Sequence, residues 1–215
     1  PLENGTAAEI LARNTGHPAR PGNLVLPEVA ALAALNATQD HAVRPGLLGT
    51  VIHQAGRSTC AIGNADALDL PGRQVVSLAM DEHGVVDAGS IGSDLLKADP
   101  SQPFGVRTDY AVLLRAYDRL AAGAALTAID LGDTSRLDAY ALNLTPERRD
   151  ELSHLMFQAA DRFLGLLRQR LDLRHTLLLI VSPTPNAFTQ ESGNPMTPLL
   201  AVGPGFSHGW LVSAT

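Results

Sequence analysis

Cysteine is all but missing from this chain. Cys60 stands alone, so no disulfide can close within one copy and no cysteine-based metal site can be assembled. It lies in the apolar run Ser58-Thr-Cys-Ala-Ile62, where a lone thiol acts as a small core residue. Charged residues make up only 18% of the sequence and 45% is hydrophobic, which excludes a disordered chain. There is no block of Lys and Arg, and the formal net charge is −6. Both features argue against nucleic acid as a partner. The nearest basic grouping, Arg162, Arg168, Arg170 and Arg174, is spread along one helix and its end and reads as a solvated face. No apolar run approaches the roughly 20 residues that a bilayer-spanning helix needs.

Sequence motifs of common catalytic sites are missing as well. The glycine-rich dinucleotide loop, the P-loop and the serine nucleophile elbow do not occur. The histidines are His17, His41, His53, His83, His154, His175 and His208, and no two of them fall at an HxH, HxxxH or HExxH spacing. His53 and His154 lie on helices among polar neighbours and are expected at the surface. His208 is the one histidine expected near a strand edge that could carry a site.

What is present is the length and patterning of one globular α/β domain over residues 1–215. A chain of 215 residues buries roughly 70% of its unfolded surface and folds without a metal or a disulfide. It begins at Pro1 and ends at Thr215, and is expected to be a piece of something longer, with any targeting or membrane segment lying outside it.

Helices are expected near Thr6 to Arg13, from Pro27 to Asn36, from Pro45 to Gly56 and from Thr108 to Ala122. A long one is expected from a Thr145 cap, with Pro146 in the first turn, to about Leu171. Leu24 to Leu26 is a short apolar run leading into the second helix, and strands are expected at Ser58 to Gly63, Gln74 to Met80, Leu126 to Leu131, Thr176 to Val181 and Pro198 to Val202. Val85 to Ala88 reads as a short hairpin arm after the turn Asp81-Glu-His-Gly84. Strand and helix alternate from Pro45 onward, and the strands are continuous apolar runs, as in sheets covered on both faces. The fold class expected is therefore a three-layer α/β/α sandwich around a mainly parallel sheet.

In such sheets ligands bind beyond the carboxyl ends of the strands. Those ends carry Asn64 and Asp66, then Asp81, then Asp130 and Asp133 with Arg136 and Asp138 just after, and finally Ser182, Thr184 and Asn186. Oxygen-rich groups of this kind suit a hard divalent cation, and the same residue types cap helices and make turns. These nine residues, Arg136 apart, are the candidate ligand-binding set, with Asp133 the candidate metal ligand if a metal is held at all.

Several segments carry a resemblance. "PGLLGTVIHQAGRSTCAIGN" over Pro45–Asn64, "LTAIDLGDTSRLDAY" over Leu126–Tyr140, "LLLIVSPTPN" over Leu177–Asn186 and "MTPLLAVGPGFSHGWL" over Met196–Leu211 occur in order. Together they resemble the alkaline phosphatase superfamily, and more narrowly a group of bacterial membrane-anchored proteins of unknown function with an extracytoplasmic domain of this kind. The resemblance matches Asp133 to a metal-binding aspartate. Ser182-Pro-Thr-Pro-Asn186 stands where the superfamily has an Asp-His pair, Ser192-Gly-Asn-Pro-Met-Thr197 where it has a histidine, and Asp138 or Tyr140 where it has another. Two-metal hydrolysis needs those ligands. The resemblance thus implies a non-catalytic, degenerate domain at the bacterial cell envelope that binds a ligand or a protein, with no cofactor. A second reading is a hydrolase or transferase of phosphate or sulfate esters using Zn, Mn or Mg. A third is a purely structural module.

Overall fold

The computed structural model describes residues 6–39, 43–67, 70–182 and 197–206. The chain forms two compact units, Pro1–Ala160 and Asp161–Thr215.

In the first unit the elements run α1 (Ala7–Thr15), β1 (Leu24–Val25), α2 (Val29–Ala37), α3 (Leu47–Gln54), β2 (Ser58–Gly63), α4 (Val75–Ala79), β3 (Val85–Val86), β4 (Ala88–Ser90), β5 (Leu96–Ala98), β6 (Val106–Thr108), α5 (Tyr110–Leu120), β7 (Ala124–Asp130) and α6 (Asp133–Ala139). Helix α7 (Pro146–Arg168) leads into the second unit. The helix starts follow their caps. Thr6 and Glu9 form a reciprocal capping box on α1, the Asp109 carboxylate accepts from the backbone N–H groups of Ala111 and Val112 at the start of α5, and the Thr145 hydroxyl accepts from Arg148 N–H on α7.

The centre of the first unit is a parallel sheet of order β4-β2-β7. Strand β2 is buried along its last five residues. Side chains alternate along a strand, and Ala61 packs with Val75, Val76, Ala79 and Met80 of the α4 region, with Leu126 and Ala128 of β7 alongside. Cys60 and Ile62, which point the other way, are also fully buried, so both faces of β2 are covered. Helix α5 touches β2 and β4 and contributes nothing to the α4 cluster. A further small cluster joins Phe104, Leu137, Leu152 and Met156.

Two expectations change in this unit. Gln74 to Met80, expected as a strand, contains the short helix α4. Its buried residues Val75, Val76, Ala79 and Met80 recur at helical spacing. The adjacent valines lend the run a strand-like look that the spacing overrides. Val85 to Ala88 is no single hairpin arm: β3 pairs antiparallel with β1, while β4 joins the parallel sheet beside β2. The antiparallel ribbon of β5 with β6 carries no strong sequence signal.

In the second unit, β8 (Leu178–Val181) and β9 (Leu199–Val202) pair with each other, antiparallel, Leu178 opposite Val202 and Val181 opposite Leu199. Both were expected as members of the mainly parallel sheet. An all-apolar run specifies a strand but neither its direction nor its neighbour. The four arginines Arg162, Arg168, Arg170 and Arg174 are all exposed, as expected for a solvated face.

Candidate functional site

At the carboxyl end of the parallel sheet, β2 and β7 run in register until Gly63 faces Asp130. The chain beyond β2 carries Asn64 and Asp66, and the turn beyond β7 enters α6 at Asp133. Gly132 makes this junction possible. Its φ is +74°, and a Cβ there would lie 2.4 Å from the Asn64 carbonyl oxygen and 3.0 Å from the Arg136 guanidinium. Only glycine accepts that backbone angle and that closeness together.

Beneath this junction lies a buried ion pair. Arg136 is fully buried and Asp133 nearly so. Arg136 Nη2 donates to Asp133 Oδ1 at 2.7 Å and also to the Thr108 hydroxyl, while Nη1 donates to the Asn64 carbonyl at 2.8 Å. Asp133 Oδ1 accepts in addition from Thr108 N–H at 2.9 Å, and Oδ2 accepts from the Tyr110 hydroxyl at 3.0 Å. The pair thereby ties together β6, the start of α5, α6 and the end of β2. Arg136 Nε is buried with no partner among the described residues. Burial, then the charge of Asp133 and the hydrogen bond to it, push the Tyr110 hydroxyl well above its ordinary range.

Two further carboxylates flank the pair in contrasting states. Burial would raise Asp66, but donation from Arg73, Gly72 N–H and Asn64 outweighs it and holds the carboxyl below its ordinary range. Arg73 Nη2 reaches Asp66 Oδ2 at 2.8 Å. Asp130 is pushed up by burial, which its hydrogen bond from Gly132 N–H and the nearby Arg136 charge do not offset.

The candidate set is therefore only partly assembled here. Asn64, Asp66, Asp130 and Asp133 meet at one edge. Asp81 does not. It follows α4 rather than a strand, and its Oδ2 lies 3.1 Å from Nδ1 of His53, whose Nε2 approaches the hydroxyl of Thr59 near the amino end of β2. Asp138 sits on α6 five residues beyond Asp133, which turns it about 140° away around the helix axis. Ser182 follows β8 in the second unit, where its N–H donates to the Pro198 carbonyl. Thr184, Asn186 and the singled-out His208 lie outside the described residues.

The residues this edge could offer a divalent cation do not fit one. Both Asp133 oxygens are engaged, and a cation is already there in the form of Arg136. An ion on Asp133 would sit about 5 Å from the guanidinium, a repulsion of roughly 6 kcal/mol at an effective dielectric of about 20. Among the described residues no group of three or more His, Cys, Asp and Glu side chains is arranged to hold a metal. The sequence signal for the ion pair is Asp133-Thr-Ser-Arg136, an i, i+3 pair in the first turn of a helix. What the spacing does not reveal is that the pair turns inward, or that Thr108 and Tyr110 join it.

His53, expected at the surface, is half-buried instead, between Asp81 and Asp87, with Nε2 2.8 Å from Asp87 Oδ2. No family model, curated protein or solved structure matches this chain.

Proposed function

We propose that this chain is a non-catalytic domain built on a degenerate alkaline-phosphatase-like core, acting through binding of a ligand or protein at the extracytoplasmic face of a bacterial cell envelope. The parallel β4-β2-β7 sheet, with β2 buried on both faces, supports a three-layer arrangement of that kind. The resemblance of four ordered segments supports the family and the location.

The observation that carries the non-catalytic reading is the Asp133–Arg136 pair. The residue matched to a metal-binding aspartate is neutralised by a protein cation and occupied by three donors. A metal-dependent ester hydrolase needs that carboxylate free to ligate and a nucleophile beside it. The test is turnover of para-nitrophenyl phosphate and para-nitrophenyl sulfate by the purified chain with zinc, manganese or magnesium. Rates equal to buffer are expected. Metal-dependent turnover that Asp133→Asn abolishes would overturn the reading and favour the phosphate or sulfate ester hydrolase.

A further inference from the structure

A cleft opens near the amino end of β2, the end of the strand away from the Asp133–Arg136 pair. Its volume is about 420 Å³, within the usual range of small-molecule sites. Its floor is His53, with one ring nitrogen against Asp81 and the other against Asp87. The two carboxylates are committed elsewhere too. Asp81 Oδ1 accepts from the backbone N–H groups of His83 and Val85, and Asp87 Oδ2 accepts from Thr59 N–H.

The walls are basic. Arg20 and Arg57 line the cleft, are exposed, and have no side-chain hydrogen bond or ion pair among the described residues. His17 and His83 also line it, with ring centroids 4.2 Å apart. The two carboxylates that line the cleft, Asp81 and Asp87, are engaged by His53 and the backbone, which leaves the Arg20 and Arg57 guanidiniums as its uncommitted charges. Local positive charge in a concave site attracts and concentrates anions.

We infer that this cleft is a binding site for a small molecule carrying a multiply charged oxyanion group, held by the Arg20 and Arg57 guanidiniums over the His53 floor. Guanidinium forks pair with planar carboxylates and with tetrahedral phosphoryl groups alike, and the probes separate these sources. The reading stands apart from the proposed function, since it uses none of the residues at the opposite end of the sheet.

The experiment is a titration of the whole chain with inorganic phosphate, with citrate and with chloride, read by the histidine ring resonances in proton–carbon NMR spectra. Saturable shifts of His17 and His83 below about 1 mM in phosphate or in citrate, with none in chloride, are expected. The probe that binds more tightly identifies the oxyanion class. Arg20→Ala and Arg57→Ala remove exposed side chains that have no side-chain partner among the described residues, so both variants keep the fold, as thermal unfolding will show. Each should weaken binding about tenfold, the scale of one charge-assisted hydrogen bond. No saturable shift with either oxyanion up to 10-fold above that concentration would overturn the inference. So would equal affinity in the wild type and an Arg20→Ala, Arg57→Ala double variant.

Discussion

Replacing Arg136 with methionine deletes the guanidinium that faces Asp133 while keeping an unbranched apolar side chain in its place. Asp133 keeps the Thr108 and Tyr110 donors but becomes a buried charge without a counter-charge. The carbonyl of Asn64 loses its donor as well. Deleting one member of a buried pair costs about 3–5 kcal/mol, and in a domain of this size each kcal/mol lowers Tm by about 2–4 °C. A fall of roughly 6–20 °C is therefore expected. Asp133→Asn alone should cost a similar amount, because it strands the guanidinium. The double variant removes both charges and should be less damaged than the sum of the singles by about 2 kcal/mol. Urea denaturation of the four proteins, followed by far-ultraviolet circular dichroism, measures all the terms of the cycle. A cost below about 1 kcal/mol for Arg136→Met, or singles that simply add, would refute a coupled pair at the heart of this edge.

Gly132→Ala should destabilise by at least about 2 kcal/mol more than Gly123→Ala. Both residues have positive φ, but a Cβ at Gly123 meets nothing within 4 Å whereas one at Gly132 meets Asn64 and Arg136; paired melts of the two variants decide it. Asp130 and Asp66 should respond to pH with opposite sign. The raised Asp130 binds its proton more tightly folded than unfolded, so stability falls as pH rises through its titration, and Asp130→Asn should stabilise at pH 7 with a gain that fades on acidification. The depressed Asp66 contributes stability above its unfolded pKa that is lost as pH falls through the folded one, so Asp66→Asn should destabilise at pH 7 and match wild type in acid. Melts from pH 7 down to about pH 2 read both, since the Asp66 contribution is lost only below the ordinary carboxylate range. Cys60 is fully buried and burial pushes its thiol up to about 11, so a thiol reagent should label it only at the rate of unfolding.

Much of the first unit was legible in the sequence, and the pattern of success is physical. Ser58 to Gly63 matches β2 because it is a short apolar run bounded by Arg57 and Asn64. Helix α5 was legible from its spaced apolar face, and α7 from the Thr145 cap and Pro146. Where local chemistry decides the element, the sequence is sufficient. It was insufficient where tertiary contact decides. Residues 74–80 are apolar enough for either element, and packing on β2 and β7 selects the helix. The edge shared by Asn64, Asp66, Asp130 and Asp133 followed from the rule that polar residues after parallel strands converge. Asp81 failed that rule because the element before it is not a strand. His53 looked solvated because its partners, Asp81 and Asp87, are 28 and 34 residues away, and no spacing encodes such a contact.

The most direct test of the central claim is metal content. The purified chain is incubated with zinc, manganese and magnesium, desalted and analysed by mass spectrometry, with circular dichroism confirming the fold of each sample. If Arg136 stands in place of a metal at Asp133, wild type retains none. Near-stoichiometric metal retained by wild type and lost in Asp133→Ala would contradict the claim and return the chain to the metal-dependent ester hydrolases.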